Sequence, residues 1–292
     1  MDIQDLLQRF AECLKIQRYS PSSIKNYQSN LVLFLNYISN QFSCIEEIEI
    51  SHIENYIFWK INNGKCSTTH QKMILVSISK FYDFVLGIKI NLNHLYPKQS
   101  AIKQPNFLTL EEVKQLIEVT ENLKHKCLIM FLYSAGLRLC EVINLKTTDI
   151  DLKNRTIFIR QVKDKKERKV LLTENLVVYL MQYYVRYKPV NYVFEGQNKS
   201  QFSGRSVQQI VKQSAIKSGL KKTVSPFILR HSFAVHLIES GIDICYIQEL
   251  LGHNFLKSTE AYTLVTKAAK SPIKSPLDTL YVFFIKTKNP VP

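Results

Sequence analysis

Apolar residues in the first hundred positions recur at intervals of three and four. Leu6, Leu7, Phe10 and Leu14 form one series; Ile24, Tyr27, Leu31, Phe34, Leu35 and Ile38 form another. Side chains at that spacing share one face of an α-helix, so both stretches predict amphipathic helices. Ser20 followed by Pro21 marks a helix start, because a serine oxygen accepts from a free amide of the first turn and proline lacks the amide that would go unbonded. Further helices are expected over 51–62 and 67–87, the second ending at Gly87. Residues 1–95 thus predict a small all-helical bundle of four or five helices.

The periodicity stops over 96–106, where YPKQSAIKQPN is polar, carries two prolines and reads as a linker whose basic residues can follow a DNA backbone. LTLEEVKQLI then opens a new helix, with Thr109 and Glu112 in the T-x-x-E arrangement of a capping box. A second domain is expected over 107–285, with 286–292 as a tail. Within it TIFIRQV (156–162) and RKVLL (168–172) alternate apolar and polar positions on either side of the charged DKKE, which predicts a β-hairpin. Helices are expected over 174–187, 204–218, 226–240 and 243–251. The fold class is therefore mainly α with a small β-hairpin, in two domains.

Charge narrows the partners. Residues 101–292 hold 29 Lys and Arg against 16 Asp and Glu, which supplies +13 of the net +15. An excess of that size attracts a polyanion, since each phosphate neutralised releases condensed counterions; an anionic membrane surface would attract it too. No run of 18 apolar residues occurs and the start MDIQDLLQRF is acidic where a signal peptide would be basic, so the chain reads as cytoplasmic and soluble. The six cysteines have no C-x-x-C pair and no histidine at zinc spacing; most stand among apolar residues and are expected to be reduced core thiols.

The chemistry-bearing residues lie in the second half: Arg138 in AGLRLCEV, Lys163 in QVKDKKERKV, Arg230 and His231 in PFILRHSFAVHLIESG, His253 and Tyr262 in LLGHNFLKSTEAY. Each has an ordinary reading. Arg138 can be an ion pair with Glu141, and Lys163 a solvated hairpin tip beside Lys165 and Lys166. The helix of Arg230 can simply bury Phe227, Leu229, Phe233 and Leu237, and His253 can bind a helix carbonyl. Nothing in its own surroundings distinguishes Tyr262 among 15 tyrosines.

In order, these segments resemble the catalytic boxes of the tyrosine recombinases, the phage integrase family that includes the Xer-type recombinases. The matched boxes span about 130–268, with a looser likeness over 1–129. The resemblance implies a SAM-like helical core-binding domain and a mostly helical catalytic domain, closing on a DNA duplex as a C-shaped clamp. Tyr262 is then the nucleophile that forms a 3′-phosphotyrosine, without metal or ATP. Arg138 and Arg230 grip the non-bridging oxygens, His231 accepts or orients the phenol proton, His253 donates to the phosphate, Lys163 is the general acid and Glu141 holds the local fold. Recombination sites on double-stranded DNA and a homo- or hetero-tetramer are the implied partners, with 270–285 packing on a neighbouring subunit. The chain departs from the pattern at Phe227, where the family's second box has a histidine, and at Val162 and Asp164, where it has glycines around the lysine. The first departure keeps open a non-catalytic or impaired DNA-binding relative; a type IB topoisomerase with similar chemistry is a further alternative.

Overall fold

A computed structural model describes residues 2–42, 44–45, 47–63, 66–98, 106–160 and 167–252. The chain divides into two compact units, 1–103 and 104–292.

The first unit is helical. α1 (Ile3–Ile16) starts where the Asp2 carboxylate accepts from the amides of Gln4 and Asp5, and α2 (Pro21–Ser39) where Ser20 Oγ accepts from Ser23, with Pro21 in the first turn. α3 (Ile50–Asn62) and α4 (Thr68–Phe81) follow. The series expected to face inward does so: Phe10, Leu14, Leu31, Phe34, Leu35 and Ile38 are all fully buried, and Phe10 meets Phe81 edge-on at 5.8 Å. α4 does not end regularly. Its last stretch, Tyr82–Leu86, widens into a π-helical turn that stops at Gly87, whose φ of +70° is left-handed.

The second unit is built around α6 (Leu123–Ser134), which follows α5 (Leu110–Glu118). The expected capping box is present at the start of α5, with Thr109 Oγ1 accepting from the Glu112 amide and the Thr109 amide donating to Glu112. Six successive residues of α6, Cys127–Leu132, are buried. A helix apolar on every side needs cover on every side, and α8 (Glu174–Tyr187) and α10 (Pro226–Glu239) both pack on it. Between α7 (Leu139–Asn144) and α8 lies an antiparallel sheet in the order β1 (Ile150–Asp151), β2 (Thr156–Ile159), β3 (Arg168–Leu171). The two longer strands are the expected hairpin; the short β1 beside them was not read from the sequence. α9 (Gly204–Lys217) and α11 (Ile244–Leu251) complete the unit.

Two expectations are corrected. Of the six cysteines only Cys127 is buried, while Cys44, Cys140 and Cys245 are exposed, because the apolar residues beside them turn to a different helical face or loop. Phe227 is not a core residue: it is 66% exposed. It occupies the outward side of the first turn of α10, whose inward face is carried by Pro226, Leu229, Arg230 and Ala234. Among the described residues no helix is long and apolar enough to cross a membrane.

Candidate active site

Arg138 is delivered by a turn that only glycine suits. Gly136, just past the end of α6, has φ +56°, where an L side chain is strained. Space is missing as well, since a Cβ there would stand 2.6 Å from Cδ1 of Phe233 and 2.9 Å from Cδ2 of Leu251. Leu137 enters the core and Arg138 becomes the N-cap of α7. Its backbone amide donates to Oε2 of Glu141 at 2.8 Å and its Nη1 donates to Oε1 at 2.9 Å. The ordinary expectation, an ion pair with Glu141, therefore holds. The side chain nonetheless remains 19% exposed, and an arginine has five N–H donors to distribute.

Arg230 reaches the same carboxylate from the buried face of α10, which Ser225 caps and Pro226 begins. Its Nη1 donates to the carbonyl of Gly136 and its Nη2 to that of Leu251, each at 2.6 Å, and Nη1 lies 3.7 Å from Oε2 of Glu141. A third guanidinium, not singled out from the sequence, completes the group. Arg168 donates through Nη1 and Nη2 to Oε1 and Oε2 of Glu141, both at 2.9 Å, and through Nε to the carbonyl of Leu250 at 2.7 Å. The signal that could have found it is strand alternation: Arg168 opens β3 opposite buried Ile159 and two residues before buried Val170, which places a charged side chain on the inward face.

Successive carbonyls at the end of α11 each receive one guanidinium: Leu250 from Arg168, Leu251 from Arg230, and Gly252 from Arg138 at 3.0 Å. A helix C-terminus leaves carbonyls without intrahelical donors and carries partial negative charge, so cations are favoured there. Gly252 ends the helix with φ +61°. At the centre, burial opposes ionisation of Glu141. The hydrogen bonds and charge of Arg168, the amide of Arg138 and the charge of Arg230 outweigh that penalty and hold the carboxyl down at about 2.

His231 is adjacent and 2% exposed. Burial lowers its pKa to about 4, so the imidazole is neutral at pH 7. The ring of Phe227 stacks on it with centroids 6.0 Å apart and planes at 17°. A second polar contact fixes this helix: Ser232 Oγ accepts from the buried amide of Leu108 at 2.9 Å and donates to the carbonyl of Ile228 at 2.8 Å.

The structure thus brings Arg138, Arg230 and His231 to one end of α10. Lys163, His253 and Tyr262 lie outside the described residues; in the chain Lys163 falls between β2 and β3, and His253 directly follows Gly252. Among the described residues no cluster of three or more His, Cys, Asp or Glu side chains is placed to hold a metal ion. What the arrangement offers chemically is a fixed pair of guanidiniums, a donor set suited to a tetrahedral oxyanion, with the neutral imidazole of His231 on the next residue of α10.

Comparison with known proteins gives a consistent picture. Residues 106–269 match the phage integrase family, and residues 6–92 match the phage integrase N-terminal SAM-like domain. The tyrosine recombinase XerA of Pyrococcus horikoshii is 30% identical over 266 residues, covering 90% of each chain. Tyrosine recombinase XerD of Oceanobacillus iheyensis is 29% identical over 282 residues, covering 90% of this chain and 94% of its own. Among solved structures, XerA recombinase aligns with a TM-score of 0.52 at 26% identity, covering 99% of this chain and 100% of that one. XerH site-specific recombinase bound to a palindromic difH substrate aligns with a TM-score of 0.70 at 22% identity, covering 94% and 83%.

Proposed function

This chain belongs to the phage integrase family, the tyrosine recombinases, and from that premise we propose that it cuts and rejoins double-stranded DNA at specific sites through a 3′-phosphotyrosine. The observation that carries the reading is the convergence of Arg138 and Arg230 on one carboxylate, at 2.9 and 3.7 Å from Glu141. Two guanidiniums held that close can hydrogen-bond the two non-bridging oxygens of one phosphate and stabilise the extra charge of the pentacoordinate transition state. The Tyr262 oxygen attacks phosphorus while the bond to the 5′ oxygen breaks. The phenol proton passes to neutral His231, Lys163 protonates the departing 5′ oxygen, and His253 donates to a phosphate oxygen. Rejoining reverses these moves: a 5′ hydroxyl from another strand attacks the phosphotyrosine and the phenol recovers its proton. One ester replaces another, so the scheme calls for neither metal nor ATP. Exchange between two sites calls for four protomers, with 270–285 bridging neighbours. The DNA-bound neighbour XerH and the basic charge of 101–292 support DNA as the substrate.

The test is a nicked duplex whose broken strand prevents religation, built on a sequence selected for binding from a randomised pool. A covalent adduct with the natural protein that disappears in Tyr262→Phe is expected. A second reading, a DNA-binding relative that does not cut, is favoured by Phe227, whose exposed ring offers no donor where the second box has imidazole. Tight binding to the selected duplex with no adduct would leave that reading standing.

A further inference from the structure

We propose that Arg168 is a positioning residue for the phosphate-binding arginines, holding Arg138 and Arg230 in register through Glu141 and the end of α11. This rests on the reading of the site as a phosphodiester-cleaving centre.

Arg168 meets Glu141 as a bidentate fork, which neither Arg138 nor Arg230 does. Its side chain is 7% exposed and each of its three nitrogens already donates, two to the oxygens of Glu141 and one to Leu250. Arg138, by contrast, is 19% exposed and has donors to spare. The contribution of Arg168 is therefore made through its neighbours. Glu141 accepts four hydrogen bonds from arginines, two from Arg168 and two from Arg138. Bidentate pairing fixes the plane of a carboxylate as well as its location. That plane in turn sets where Arg138 Nη1 sits and how Arg230 is aligned.

Its Nε bond draws the end of α11 onto the same group, next to the carbonyls that hold Arg230 and Arg138. The fit is close, since a Cβ on Gly252 would lie 3.1 Å from Nη1 of Arg168. β3 therefore anchors the carboxylate and the helix end together, through a single planar fork. Lysine keeps the charge but supplies a point of donors on a flexible stem, and cannot span both oxygens and a carbonyl in one plane.

The experiment compares Arg168→Lys with the natural protein by hydrogen exchange of the peptide 244–252, by affinity for the selected duplex, and by the single-turnover rate of adduct formation across pH. Expected are faster exchange in 244–252 with unchanged exchange in residues 2–42, affinity within threefold, and adduct formation slowed at least 30-fold. The variant should also lose rate as pH falls from 7 to 5, a range in which His231 stays neutral and the natural protein should hold its rate, because Glu141 titrates higher once its chief partner is weakened. A purely structural role would lower affinity and rate together and leave the pH profile alone; that result overturns the proposal, as does adduct formation within threefold of the natural protein or unchanged exchange in 244–252. If exchange responds as expected while the natural protein forms no adduct, the anchoring by Arg168 stands and the reading of the site as catalytic falls.

Discussion

Phe227 lies flat against His231, ring planes 17° apart, with two-thirds of its own surface in solvent. An apolar ring two-thirds exposed gains little from burial and has no donor to offer a phosphate. Replacing it by histidine restores a donor without disturbing the core. In Phe227→His the single-turnover rate of adduct formation should rise by about tenfold, less than the roughly 10²–10³ lost when one oxyanion donor is removed elsewhere, because the proposed mechanism already gives the phosphate donors from Arg138, Arg230 and His253. A rate that does not change would show that this position contributes no donor.

His231 makes stability depend on pH. Its folded pKa, about 4, lies below the ordinary value near 6.5. Between those values the unfolded chain binds the proton and the folded one does not. The stability it contributes is complete above about pH 6.5 and is lost as pH falls through 4, a span worth on the order of 3 kcal/mol. Glu141, lowered from the ordinary 4.5 to about 2, contributes stability that is present above pH 4.5 and lost as pH falls toward 2, so it adds little between pH 7 and 4.5, where the unfolded carboxyl is still largely ionised. Urea unfolding at pH 7 and pH 4.5 should therefore show a smaller difference in His231→Gln than in the natural protein. Equal differences would remove His231 as the cause.

Much of this arrangement was legible in the sequence, and what was not has identifiable reasons. Helix starts at Ser20, Thr109 and Ser225 follow from local chemistry, since a side-chain oxygen needs only its own first turn to cap. Phe227 departs from the expected core because hydrophobicity identifies an apolar residue but not the side of a first turn it occupies. Arg168 was passed over because its partners, Glu141 and Leu250, stand 27 and 82 positions away, and pairing over such distances leaves no local mark. The three-carbonyl arrangement at the end of α11 was invisible for the same reason.

Gly136 should tolerate no side chain. Alanine there meets both a strained φ of +56° and contacts of 2.6 Å with Phe233 and 2.9 Å with Leu251. Strain and overpacking each cost about 1–3 kcal/mol, so Gly136→Ala should lose about 3 kcal/mol in denaturant unfolding, and lose adduct formation with it because Arg138 follows two residues later. Full stability in this variant would contradict the packing described here.

Ser232→Ala removes the acceptor for the amide of Leu108, which is buried. An orphaned buried N–H costs about 1–3 kcal/mol, and denaturant unfolding should show a loss in that range. Ser232→Thr keeps the oxygen and should recover most of it.

Among the described residues, three guanidiniums draw on one carboxylate and on the carbonyls that end α11, so α7, β3, α10 and α11 meet at one largely buried point. None of these elements is held by its immediate neighbours in the chain alone. A change that loosens one of them is therefore felt by the others, which makes the cluster a joint rather than a set of separate contacts.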